Sequence, residues 1–370
     1  MLRCMYSGIS GMKVNQQKLD VIGNNIANVG TTAFKSSRAE FTDMLYQNAG
    51  VATSPTSTKG GTNAKQVGLG AKLASIDRVM SQGNALSTGR SLDACIDGEG
   101  FFIVGTGITD YDAGATTIDS NMGISGGNMS INYTRDGNFQ VDKDGYLVTS
   151  DGHKVMGYLL TAYNADGSGD ATVPASAASS IDTTGKAQYV DADGILKAAN
   201  DFALQPMQIP DSVHVPAYSD TSTNPATDIP ESDQKIASFT IGKDGVITAV
   251  LANGSRTALG QLATATFKNP AALTAIGGNL YEVSANSGKE TVKTAVNIAK
   301  NNNGEALDTP PADDNSKAYG DVIQGCLEAS NVDLTEQFTD MITATRSFQA
   351  ASKMITTGDE ILQTITGLMR

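Results

Sequence analysis

From Leu2 onward, apolar residues recur at alternating steps of three and four: Leu2, Met5, Ile9, Met12, Leu19 and Ile26, interrupted by Gln16 and Gly23. This row of almost four heptads predicts a helix of roughly 25 residues, about 38 Å long. The other end repeats the pattern, with Leu334, Met341, Phe348, Ile355, Leu362 and Met369 at strict seven-residue intervals. Three positions after each of the first five stand Gln337, Ala344, Ala351, Gly358 and Ile365, most of them small. A large row beside a small row lets a second helix approach closely, so the pattern predicts a helix of about 35–40 residues, roughly 55 Å. Pairing these two helices leaves Val21, Ile22, Ile342 and Ile361 off the seam, and self-association is the economical way to cover them. Six of the twelve methionines fall in these two segments, where an adaptable side chain suits shifting partners.

The middle follows a different rule. "FQVDKDGYL" at 139–147 is echoed by "FTIGKDGVI" at 239–247, and a second turn follows each, at Asp151-Gly152 and at Asn253-Gly254. Alternating residues around such turns predict two related β-hairpins within one domain. Between them, residues 165–232 carry Pro206, Pro210, Pro216, Pro225 and Pro230, which predicts a turn-rich, exposed insertion. Residues 51–70, "VATSPTSTKGGTNAKQVGLG", lack helix or strand periodicity and read as an extended connector.

Composition narrows the function. The 370 residues leave room for two or three domains. A net charge of −13 argues against a phosphate-binding surface, and hence against nucleic acid as a partner. Cys4, Cys95 and Cys326 have no metal spacing and do not form an even set, so they read as buried thiols. His153 and His214 are the only histidines, too few for a Ser-His-Asp triad or a multi-His metal site, and they read as ordinary surface or packing residues. The acidic stretches "DKDG" at 142–145 and "YVDADGIL" at 189–196 lack the third ligand and the final Glu of a calcium loop and read as turns. No catalytic, cofactor-binding or metal residues are therefore assigned, and the expectation is a non-enzymatic chain without cofactor. The opening "MLRCMYSGISGMK" has no continuous apolar run, and no stretch of 18 apolar residues occurs, which predicts no membrane insertion. On those grounds alone the chain reads as cytoplasmic.

Specific motifs change that reading. Asn24, Asn25, Ile26, Ala27, Asn28, Thr31, Phe34 and Lys35 resemble the N-terminal signature of the bacterial flagellar rod and hook family, with Gly30 where Asn is usual and Ala33 where Gly is usual. Glu328, Ser330, Asn331, Val332, Asp333, Arg346, Phe348 and Gln349 resemble its C-terminal signature. "LDACIDGEGFFIV", "YTRDGNFQVDKDGYLV" and "LGQLATATFKNPAALTAIGGNLY" resemble its shared middle. Within the family, "MYSGISGM" and "SNVDL" favour the hook branch over the distal rod branch.

The resemblance implies a chain exported unfolded through the flagellar type III apparatus to an extracellular place in the hook and basal body. There it joins copies of itself in a helical tube, a flexible universal joint between rod and filament. The implied partners are the rod and hook–filament junction proteins, with the hook cap and export apparatus during assembly. The expected fold is α+β: long N- and C-terminal helices in a coiled-coil-like inner domain, a mainly antiparallel β middle domain and an inserted turn-rich outer segment. The expected boundaries are 1–29 with 326–370 for polymerisation, 30–70 for the connector, 71–164 with 233–325 for the β domain, and 165–232 for the insertion. The expected polymer interface comprises Leu2, Met5, Ile9, Met12, Leu19, Ile26, Asn28, Phe34, Leu334, Met341, Phe348, Ile355, Leu362 and Ile365. On this reading the Asn-rich break ends the inner helix, and the segment after it carries the chain outward.

Overall fold

The computed structural model describes residues 2–107, 116–118, 124–125, 129–163, 187–190, 192, 195–198, 203–215, 218–220, 227–229, 232–293 and 320–368. They form a mostly β chain with a helix near each end, in two compact units: Met1–Ser81 with Ser330–Arg370, and Gln82–Ala329. These boundaries differ from those expected, because residues 30–70 and also 71–81 belong with the terminal helices and 326–329 belong with the β unit.

In the first unit, α1 spans Leu2–Ala27 and α2 spans Leu334–Leu368. The Asn-rich stretch ends α1 by offering its backbone other partners. Asn28 Nδ2 donates to the Asn24 carbonyl at 2.9 Å, Thr31 Oγ1 donates to Asn28 Oδ1 at 3.2 Å, and the Phe34 N–H reaches the Thr31 carbonyl. Within that turn Ala33 adopts φ 55°, a left-handed conformation that costs an L-residue roughly 1–2 kcal/mol. At the start of α2, Asp333 Oδ1 accepts the N–H groups of Thr335 and Glu336, satisfying two donors that the first helical turn leaves unpaired.

Between the helices runs a two-stranded ribbon. Ser37–Asp43 pairs antiparallel with Ala71–Arg78, Tyr46–Gly50 pairs with Lys65–Gly68, and a last bridge joins Thr53 to Thr62 before the turn at Thr56 to Lys59. The segment expected as an unpatterned connector is therefore extended but paired. Most of its outer residues are exposed on both faces, and that leaves no alternation for a sequence pattern to show.

The second unit is a mainly antiparallel network around the strand Phe101–Gly107, which pairs with Met129–Thr134, Lys154–Tyr158 and Thr264–Thr266. Both expected hairpins are present: Phe139–Val141 with Leu147–Thr149, and Ser232–Ile241 with Val246–Leu251. Gly145 at φ 83° and Gly245 at φ 85° make the two equivalent turns, a conformation open to glycine at little cost. Phe102, Phe139, Leu147, Val155 and Ile247 are fully buried in one core.

Residues 203–215 correct the expectation of an outer segment over 165–232. Ala203–Pro206 pairs with Lys154–Tyr158, Ser212–Val215 pairs with Ser232–Ile241, and Leu204, Met207 and Val213 are buried. Met207 fills the space left by two glycines: a Cβ on Gly157 would lie 2.3 Å from its Sδ, and one on Gly260 would lie 2.0 Å from its Cε. Prolines in this stretch end strands that serve the core. Within the insertion, residues 165–186, 191, 193–194, 199–202, 216–217, 221–226 and 230–231 lie outside the described residues.

Candidate assembly surface

α1 and α2 pack against each other antiparallel. Met5 meets Gly358, Gly8 meets Ile355 and Ala351, Lys18 Nζ lies 3.2 Å from Asp340 Oδ1, and Asn25 Nδ2 donates to Gln337 Oε1 at 3.0 Å. The contact is close because the meeting rows are small: a Cβ added to Gly8 would stand 3.2 Å from Ile355 Cγ1, and one on Gly358 would stand 3.2 Å from Met5 Cγ. The small row read from the C-terminal sequence, Gln337, Ala344, Ala351 and Gly358, is thus the seat of α1, with Ala344 and Gly358 buried. On α1 the meeting row is Gly8, Gly11, Lys18 and Asn25, with Val14 and Ile22 buried nearby. The row expected from apolar spacing runs one position away from it.

Two amides tie the ends of these elements together. Asn25 Nδ2 donates to Ser37 O at 2.8 Å while its Oδ1 accepts the Ser37 N–H at 2.9 Å. Asn331 Oδ1 accepts the Ser36 N–H at 2.7 Å, and its Nδ2 reaches Val79 O at 2.8 Å and Ser81 Oγ at 3.1 Å. Beside it, buried Lys35 donates to Ser81 O at 2.8 Å. The end of α1, both strands at the root of the ribbon and the approach to α2 are therefore fixed by side-chain bonds, each worth about 1 kcal/mol net. Apolar periodicity cannot find polar residues like these; the available signal was their place in the terminal motifs.

The expected interface residues divide. Met5 and Ile355 are engaged by the partner helix within the chain. Met12, Leu19, Ile26, Asn28, Phe34, Met341, Phe348 and Leu362 are half-buried. Ile9, Leu334 and Ile365 are exposed, and the Leu2 side chain lies outside the described residues. Beyond that set, α2 exposes Phe338, Ile342, Met354 and Ile361, with Ile342 at 61%, and α1 exposes Tyr6. The ribbon adds Leu45, Tyr46 and Val51, with Leu45 at 80%. The Tyr46 hydroxyl bonds to Asp43, whose carboxylate holds the phenol above its ordinary pKa. Large apolar residues recurring in this way over one unit mark an interaction surface.

Among the described residues no group of three His, Cys, Asp or Glu side chains is placed to hold a metal ion. His214 Nδ1 lies 3.0 Å from Asp233 Oδ1 on paired strands, and Asp142 to Gly145 form the hairpin turn expected of them. Neither described helix is long and apolar enough to cross a membrane. Of the cysteines, Cys95 and Cys326 are buried as expected, while Cys4 is exposed on α1.

Three family descriptions match this chain: "Flagella basal body rod protein" over residues 5–35, "Flagellar hook protein FlgE/F/G D1 domain" over 95–189 and "Flagellar basal body rod FlgEFG protein C-terminal" over 323–368. The chain is 38% identical to the flagellar basal-body rod protein FlgG of Bacillus subtilis, covering all of both chains. It is 30% identical to the flagellar hook protein FlgE of Borreliella burgdorferi, again covering all of both. With the hook protein FlgE of Helicobacter mustelae it shares 44% identity over 160 residues, 43% of this chain and 31% of that one.

Proposed function

The chain belongs to the flagellar rod and hook protein family, and we propose from that premise that copies of it build the hook as an axial tube. It is a structural protein of the flagellum and not an enzyme. The observation that carries the tube reading is the set of large apolar residues left exposed on α2 after α1 is seated: Phe338, Ile342, Met354 and Ile361. Neighbouring copies bury these residues, and heterologous contacts that repeat without closing generate a tube rather than a ring. Met354 on α2 suits contacts that slide as a curved tube turns about its own axis. Export through the type III apparatus, a cap at the growing end and junction proteins at each end belong to the same reading.

The 44% identity with the Helicobacter mustelae hook protein supports the hook, whereas the 38% identity with a rod protein along the whole chain favours a second reading, the distal rod. Electron microscopy of the concentrated, purified protein separates the two. Curved tubes are the expected result, and straight tubes would replace the hook by the rod. A closed low-order oligomer with ordered terminal helices would overturn the tube itself.

A further inference from the structure

Two of the three cysteines meet in the second unit. The strand Ala94–Asp97 pairs antiparallel with Asp321–Gln324, which sets Cys95 opposite Ile323. At Gly325, φ 76°, the chain turns into the strand Cys326–Glu328, and the Cys326 thiol donates to the carbonyl of that same Ile323 at 3.3 Å. Both side chains are buried, at 1% and 6% exposure, and the Cys326 thiol is near enough to raise the Cys95 pKa. Cys4 lies in the other unit, exposed on α1.

We propose that Cys95 and Cys326 are the two halves of an intrachain disulfide, formed as the chain folds in the presence of a small-molecule disulfide. One cysteine thiolate attacks the oxidant, giving a mixed disulfide and expelling one small thiolate. The second cysteine thiolate then attacks the protein sulfur of that mixed disulfide, the new sulfur–sulfur bond forms, and the second small thiolate leaves. The protein loses two hydrogens and the oxidant becomes two thiols. Once the unit has closed, burial and the neighbouring thiol push the Cys95 pKa up to about 12, so little Cys95 thiolate forms, and both sulfurs are shut away from an oxidant in solution. Oxidation therefore belongs to the folding chain. The bond closes the loop from residue 95 to residue 326 and staples the strands by which the chain enters and leaves the β unit.

The test uses the full chain, denatured, reduced and refolded with a mixture of oxidised and reduced glutathione. Thiols titratable in denaturant are expected to fall from three to one, and the only linked peptide pair after proteolysis is expected to be Cys95 with Cys326. The oxidised chain should melt at a higher temperature than the dithiothreitol-treated chain, and that difference should vanish in Cys95→Ala and in Cys326→Ala. Cys4→Ser should keep the bond and the difference. Three titratable thiols after refolding, glutathione left on either residue, or a linked peptide containing Cys4 would overturn the proposal. A Cys95→Ala/Cys326→Ala chain with wild-type circular dichroism shows that any lost difference is not a failure to fold; if the difference persists in that variant, the proposal is wrong.

Discussion

Arg135 and Glu328 form an ion pair inside the β unit, and breaking it from one side should be the most damaging single change there. Arg135 Nε lies 2.7 Å from Glu328 Oε2, with the side chains 4% and 2% exposed. Arg135 Nη2 also donates to the Ile96 and Gly98 carbonyls at 3.2 and 2.8 Å, and Glu328 Oε1 accepts the Gly83 N–H at 2.8 Å. Arg135→Met therefore leaves a buried carboxylate without its counter-charge, and Glu328→Met does the same to a buried guanidinium. Removing one partner of such a pair costs about 3–5 kcal/mol, whereas replacing both leaves no uncompensated charge. At about 2–4 °C per kcal/mol in domains of 150–250 residues, each single change should lower the melting transition of this unit by about 6–20 °C. The double variant should lose less than the sum, with a coupling of about 2 kcal/mol or more. Calorimetry of the full chain, supported by near-ultraviolet circular dichroism of buried Tyr133 and Tyr281, reads these shifts. Strictly additive losses, or single changes worth under about 1 kcal/mol, would refute the claim that the charges need each other.

Four further outcomes follow from the same geometry. Ala33→Gly should change stability by less than about 1 kcal/mol, because relief at φ 55° is offset by the lost methyl and the freer unfolded chain, whereas Ala33→Val should cost about 2 kcal/mol or more in a chemical denaturation series. Burial, then the Cys326 thiol, raises Cys95 to about 12, so its share of stability is complete below the unfolded value of about 8.5 and is lost progressively as pH rises from there through about 12. In the reduced chain the melting temperature should therefore fall between pH 9 and 12 more steeply in wild type than in Cys95→Ala; equal slopes would remove the thiol from the account. Ile342→Asp and Met354→Asp alter exposed positions, so circular dichroism should stay within about 0.5 kcal/mol of wild type while pelleting assays show no tubes. Deleting 165–232 behind a short linker should unfold the β unit by removing Met207 and, among other strands, Ala203–Pro206 and Ser212–Val215, and retained cooperative melting of that unit would show that those strands are dispensable.

The sequence was most legible where local chemistry decides structure. Strict seven-residue spacing gave α2, and the paired Asp-Gly turns gave both hairpins, because their glycines take φ values that few other residues accept. It was least legible where partners are remote. The strand Ala203–Pro206 is short and ends in proline, the mark of a turn, yet its Leu204 is buried and the following Met207 packs against residues far along the chain. The two outer strands of the ribbon pair through backbone bonds with both faces exposed, so nothing in their side chains announces a partner. On α1, two glycines, a lysine and an asparagine form the true contact row, and a hydrophobic scan passes over all four.

That displaced row changes which residues test assembly. Phe348 stands in the large row of α2 and is the obvious target from sequence, but it is half-buried in the single chain. A charge placed there disturbs the helix as well as any neighbour, and loss of tubes would follow from either cause. Ile342 carries no such ambiguity: it is 61% exposed, so more than half of the about 1.5–3 kcal/mol that burying a full side chain can gain, about 1–2 kcal/mol, remains to be gained between copies. The fold thus separates two tasks along one helix. Glycine and alanine let α1 and α2 close on each other within the chain, and the bulky residues outside that row are left for whatever packs on them next. A tube formed by Ile342→Asp at wild-type concentration would mean that α2 meets no neighbour through this face, and the exposed ribbon residues Leu45, Tyr46 and Val51 would then have to carry the contact.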